Sequence, residues 1–305
     1  MFPIIPAASA ADSGNQEGIF GFGADNGTKL SMTNLVSDAG VVATDTTGVG
    51  TARAQPASTQ YGGDKGIFGY GTTGSVTAVT NLVSNAGVVA TDVTGVGTAR
   101  TGLAACSYGG DKGIFGYGTT GTKVSMTNLV SNAGVVATDV TGVGTVRQNL
   151  AACEYGTDTA IFGFGYGSVS PNVTAVTNLV TNVGVVGTDV TGVGTARYLL
   201  AACSYGEDKG IFGFGHDTAY SVAMTNLVSN TGVVATDTTG VGLNRSNIGA
   251  CEYGGDKGIF GWGYSYVAPA HMTAVTNLVT NLGVVGSDVT GVGTVRREIT
   301  ACSFN

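Results

Sequence analysis

The sequence predicts an all-β protein, a single six-bladed β-propeller of four-stranded blades over residues 1–305, and three observations predict it. One segment recurs six times at spacings of 47 to 51 residues, the span of one small supersecondary unit. Within each copy, β-branched residues alternate with glycine-rich turns and no helical period appears. The two chain ends carry pieces of one and the same strand, so one end can complete the unit begun at the other.

The repeat is fixed by three landmarks. Ile-Phe-Gly-aromatic-Gly starts at Ile19, Ile67, Ile114, Ile161, Ile211 and Ile259. Thr-Asn-Leu-Val places its asparagine at 34, 81, 128, 178, 226 and 277, and an arginine follows at 53, 100, 147, 197, 245 and 296. Residues 61–107 and 108–154 differ at nine of 47 positions, which points to recent duplication. The copies run over about 6–53, 54–100, 101–147, 148–197, 198–245 and 246–296, with a closing strand at 297–305.

Residues 100–147 show how one copy reads. Leu103 to Tyr108 is a small, apolar first strand, and Gly109-Gly110-Asp111-Lys112 is a turn. Gly113 to Tyr117 is a second strand whose glycines imply close approach by a neighbour. Val124 to Val130 is the third strand, Ser131-Asn132-Ala133-Gly134 a tight turn, and Val135 to Asp139 the fourth strand. Four strands per repeat of this length is the signature of a propeller blade. At the C-terminus, Glu298 to Phe304 repeats the first strand, and Pro6 to Ser13 is a degraded copy of it. An open β-solenoid, the alternative, would need dissimilar polar caps instead.

Composition excludes several classes of function. Charged residues make up 11 % and glycine 52 of 305 residues, without a collagen period. Thirteen basic against twenty acidic residues leave a net charge of −7, so nucleic-acid binding is not expected. No apolar run is long enough for a membrane span. The apolar start, Met1 to Ala11, lacks a preceding basic residue and is not read as a secretory signal. Cys106, Cys153, Cys203, Cys251 and Cys302 recur at one repeat position, which suits buried thiols rather than a disulfide framework or a zinc site.

Two glycine patterns, Gly69 to Gly74 and Gly116 to Gly121, match a dinucleotide-binding motif in letters only, since no helix follows to hold a phosphate. Asp45, Asp92, Asp139, Asp189, Asp237 and Asp288 recur once per copy. They read as turn caps, with the arginines pairing between strands or blades; the competing reading is a carboxylate ring around a central channel that holds a cation. The Asp-Lys turns at Asp64, Asp111, Asp208 and Asp256 read as solvated. Asn26-Gly-Thr28, Asn172-Val-Thr174 and Asn244-Arg-Ser246 are glycosylation sequons only in a secreted eukaryotic chain.

What varies between copies is the connection after Gly-aromatic-Gly, longest at Tyr166–Val173 and Tyr264–Met272. Binding residues concentrate on such loops of a rigid scaffold. These connections hold the candidate site residues Tyr166, His216, Tyr220, Tyr264, Tyr266 and His271, which can stack on sugar rings or anchor a protein partner. No catalytic residue, metal or cofactor is expected.

The segments Arg100-Thr-Gly-Leu-Ala-Ala-Cys106, Ile114-Phe-Gly-Tyr-Gly118, Thr127-Asn-Leu-Val and Asp139 together resemble the kelch repeat. Two departures stand out: Gly-aromatic-Gly replaces the Gly-Gly doublet, and the only tryptophan, Trp262, lies at the aromatic slot. The uniform array is also similar to repeat proteins of tailed phages. These resemblances imply a non-enzymatic structural or binding propeller in a virion or extracellular surface assembly. Its partners would be proteins or a surface glycan, with a homo-oligomer possible and no nucleic acid or membrane insertion. The alternatives are a carbohydrate-binding, lectin-like propeller using Tyr166, Tyr264, Tyr266 and His271, and an enzyme akin to the kelch-type copper-radical oxidases, which need two His and two Tyr on one metal.

Overall fold

The computed structural model describes residues 16–267 and 270–304. The predicted N-terminal strand copy, Pro6 to Ser13, lies outside them. The described chain is all-β, and it contains no helix long and apolar enough to cross a membrane. Six three-stranded antiparallel sheets repeat one register, in which the Cys or Thr of the first strand faces the Ile of the second and that Ile faces the Leu of the third. Sheets II to VI take their first strands from Ala57–Tyr61, Ala104–Tyr108, Ala151–Tyr155, Ala201–Tyr205 and Gly249–Tyr253. Sheet I joins the chain ends: Thr300–Phe304 pairs with Glu17–Gly21, with Cys302 opposite Ile19.

The sheets follow one another in a cycle. Each first strand lies against those of the two neighbouring sheets, and that of sheet VI lies against that of sheet I. Backbone hydrogen bonds of 2.7–3.0 Å follow the same cycle at one end. Gln55 N–H donates to Glu298 O, Glu298 to Asn247, Asn247 to Leu199, Leu199 to Asn149, and Asn149 to Gly102. All six of these residues have positive φ, and the bonds satisfy backbone groups that open strand ends would leave orphaned. At the opposite end Gly62, Gly109, Gly156 and Gly206 donate to Asp111, Asp158, Asp208 and Asp256 of the next sheet.

Packing between sheets is aromatic. The ring between the two glycines of one sheet meets the Ile-Phe phenylalanine of the next: Phe22–Phe68, Tyr70–Phe115, Tyr117–Phe162, Phe164–Phe212, Phe214–Phe260 and Trp262–Phe20, at centroid distances of 4.6–5.2 Å. Each such burial is worth about 2–3 kcal/mol. It explains the second-strand glycines, because a Cβ on Gly163 would stand 2.7 Å from Phe212 Cζ. It also corrects the predicted strand end. The strand stops at Gly116 rather than Tyr117, since Tyr117 turns to φ 63° to carry its ring inward.

The predicted fourth strand is not continuous. Val136 and Val140 meet the third strand only as isolated bridges to Val130 and Thr127. The third strand is correspondingly short, Thr127–Val130. The reason lies in the segment's aspartate, which is occupied elsewhere. Asp139 accepts from Asn128 Nδ2 of its own sheet and from the backbone and hydroxyl of Thr98, arriving from the preceding sheet. Thr51–Asp92, Thr145–Asp189, Thr195–Asp237 and Thr294–Asp45 repeat the latch, and Leu243 N–H supplies it for Asp288. Burial alone would raise the Asp139 carboxyl; the bonds from Thr98 and Asn128, with Arg100, bring it below its ordinary value. The aspartates tie sheet to sheet and do not line the channel between the first strands, which corrects the cation-ring reading.

The six once-per-copy arginines are fully buried. Arg147 donates from Nε to Phe164 O and from Nη2 to Asn178 Oδ1, with its guanidinium 4.2 Å from the Tyr117 ring centre. The five cysteines are buried and unpaired. Four of them fill the space a Cβ would need on Gly18, Gly66, Gly210 and Gly258 of the next sheet. Burial pushes Cys153 and Cys302 up to about 12, so these thiols stay neutral.

Candidate binding face

The variable connections are built on one repeated backbone bridge. In every copy the residue after the buried arginine pairs with the residue after Gly-aromatic-Gly. The pairs are Arg297–Ala24, Ala54–Thr72, Thr101–Thr119, Gln148–Tyr166, Tyr198–His216 and Ser246–Tyr264. The next residue in each case belongs to the hydrogen-bonded end of the channel, so these pairs surround that end.

Six equivalent places therefore carry unequal side chains. Ala54, Thr72, Thr101 and Thr119 are small. The following places join into one continuous row. Tyr166 meets Tyr198 at 5.4 Å between centroids, Tyr198 meets His216 at 5.4 Å, His216 meets Tyr266 at 5.2 Å, and Tyr266 meets Tyr264 at 4.7 Å. Cations close both ends, Lys123 Nζ at 4.5 Å over Tyr166 and the Arg297 guanidinium at 5.3 Å over Tyr264. The row is partly buried from Tyr166 to Tyr264, while Tyr266 is 47 % exposed.

Electrostatics keep the row neutral in its middle. Burial lowers His216 below its ordinary value, against a smaller opposing pull from Asp217. His216 Nδ1 accepts a long 3.4 Å bond from Thr218 N–H, which places the proton of the neutral ring on Nε2. Tyr198 is raised by burial and by the neighbouring tyrosines 266 and 166. A cleft of about 560 Å³ adjoins the row, lined by Tyr166, Asn172, Thr195, Asp217 and Thr218. Asp217 Oδ1 accepts from the N–H groups of Ala219 and Tyr220, and Asn172 Nδ2 donates to the Tyr166 hydroxyl. Thr218 sits at φ 116°, a strained conformation for a β-branched residue and one that collects at ligand sites.

Four of the six candidate residues, Tyr166, His216, Tyr264 and Tyr266, thus come together. Tyr220 stays outside the row, 71 % exposed, and His271 pairs through its backbone with Ser265 in a two-residue ladder. Among the described residues no three His, Cys, Asp or Glu side chains converge as metal ligands. Sequence reasoning missed Tyr198, Lys123 and Arg297. The signal for Tyr198 and Arg297 was their place directly after the repeat arginine. No protein-family model matches the chain, and no curated protein matches it.

Proposed function

We propose that the six sheets are the blades of a six-bladed, kelch-like β-propeller closed by pairing of its terminal strands, and that the protein is a non-enzymatic binding module. The cyclic order of the first strands, the cycle of aromatic pairs ending at Trp262–Phe20 and the pairing of Thr300–Phe304 with Glu17–Gly21 support the architecture. The observation that carries the function is the asymmetry of the rim. A scaffold built to repeat has replaced small residues by a continuous aromatic row at consecutive places and nowhere else among them. Partly exposed Tyr and His, flanked by two cations, offer the rigid amphipathic area on which protein contacts are anchored. A module of this kind suits a virion or another surface assembly.

One observation favours a glycan as the partner. The cleft beside Tyr166 combines an aromatic ring with Asn172, Asp217 and Thr218, the donors and acceptors that sugar hydroxyls pair with. The test is a binding screen of the full chain against a glycan array and immobilised surface proteins, repeated with Tyr198→Ala and Tyr266→Ala. The expected result is a ligand whose affinity falls about tenfold or more in both variants while the melting temperature stays within a few degrees. A ligand bound equally by both variants would contradict the site.

A further inference from the structure

We propose that the axis of the fold holds a proton-binding carboxylate pair, Glu154 and Glu252, and that closure of the six sheets depends on the protons this pair keeps. One level of the channel is made by Gln60, Ser107, Glu154, Ser204, Glu252 and Ser303, one residue from the first strand of each sheet. The two glutamates belong to alternate sheets, separated by Ser204, and line one cavity of about 60 Å³. Among the described residues no lysine, arginine or histidine lines that cavity.

The hydrogen bonding is unequal. Ser107 Oγ donates to the Glu154 carboxylate, as does Gln60 Nε2 at 3.5 Å. Ser303 Oγ is committed to the Glu252 backbone, donating to its carbonyl at 3.1 Å and accepting its N–H at 2.9 Å. Among the described residues no side chain bonds the Glu252 carboxyl.

Every other charge near the level is unhelpful or already engaged. Asp158 and Asp256, on the turns of the same two sheets, add negative potential. The lysines of that end, Lys65, Lys112, Lys209 and Lys257, are each paired with the aspartate just before them. One step along the strands lie Thr59 and the five buried thiols on one side. On the other side lie the phenols of Tyr61, Tyr108, Tyr155, Tyr205 and Tyr253, with Phe304 at this place in sheet I; all are neutral near pH 7.

Two like charges in a narrow, protein-lined space without a counter-ion favour the protonated forms. Burial lifts Glu154 to about 7, held back by the Ser107 bond, and lifts Glu252 to about 8, with Glu154 and Asp256 adding to it. Both lie above the ordinary 4.5. Between these values the folded chain keeps protons that the unfolded chain has released. Stability from the pair is therefore complete below the ordinary carboxyl value and is lost as pH rises through about 7 and 8. Each group multiplies the unfolding constant by up to ~10-fold per pH unit in that window.

Thermal unfolding of the full chain from about pH 5 to about pH 7.5, below the range in which the thiols of the unfolded chain titrate, with chelator present, tests this against Glu154→Gln, Glu252→Gln and the double variant. The expected result is a wild-type midpoint that falls as pH rises and a double variant whose midpoint is flat and higher at the alkaline end. A flat wild-type profile overturns the proposal, and so does a slope that survives in the double variant. Calcium alone abolishing the wild-type slope, without effect on the double variant, would assign the pair to a metal ion and equally overturn it. If the variants fail to fold, ¹³C carboxyl titration of the wild-type chain decides. Two glutamates with raised midpoints support the pair, and ordinary midpoints throughout exclude it.

Discussion

The side chain of Asn178 spends every polar atom it has. Its Nδ2 donates to Gly187 O at 3.0 Å and to Asp189 Oδ1 at 2.9 Å, and its Oδ1 accepts from Arg147 Nη2 at 2.7 Å. Removing the Asn178 amide takes away the acceptor of a charged, buried Arg147 donor. Asn178→Ala should cost about 3 kcal/mol by denaturant unfolding. A loss below about 0.5 kcal/mol, the range of ordinary surface changes, would show that the arginine is satisfied another way. At this scale the sequence was informative about identity and poor about partners. A strict once-per-copy Asp and Arg said that the residues were structural. That Asp189 is held by Thr145 of the preceding sheet was not visible, because the bond joins residues 44 apart that no local pattern links.

At the scale of elements, first strands and turns were legible because apolar and glycine-rich runs set them: Leu103 to Tyr108 is observed as Ala104–Tyr108. Errors fell where tertiary packing overrides local preference. Tyr117 has good strand propensity, yet the ring is needed beneath Arg147 and across from Phe162, so the backbone bends there. Val135 to Asp139 looks like a strand by composition, but the Asp139 latch draws the segment off the ladder and leaves Val135 65 % exposed. The terminal strand is the element whose role is clearest. Thr300–Phe304 supplies one edge of sheet I and carries Cys302 and Phe304 into the packing with the next copy, where they fill the space beside Gly66 and Gly87. Deleting residues 297–305 should abolish cooperative unfolding. A truncated chain that melts like the full one would show that the ends do not hold each other.

At the scale of the whole molecule, repetition and its breaking have separate meanings. Buried Arg, Asn, aromatic and Cys positions repeat because each sheet must present the same face to its neighbours. The rim does not need to repeat for the fold to close, and there Tyr166, Tyr198, His216, Tyr266 and Tyr264 interrupt the pattern. Four of the five aromatic members of that row could be read from the variable connections alone. Its continuity depended on Tyr198, which the backbone bridge to His216 places between the loops of two different copies. The axial glutamates were hidden for the converse reason. Glu154 and Glu252 occupy a position that is Ser or Gln in the other copies and looks like ordinary variation until six strands converge. The most direct test of the binding face is amide hydrogen exchange on the chain, free and within the assembly of its native source. The account predicts that protection on binding falls on residues 166–173, 198–199, 216–220 and 264–267. Protection confined to the outer segments, such as residues 135–140, with the aromatic rim unchanged, would contradict it.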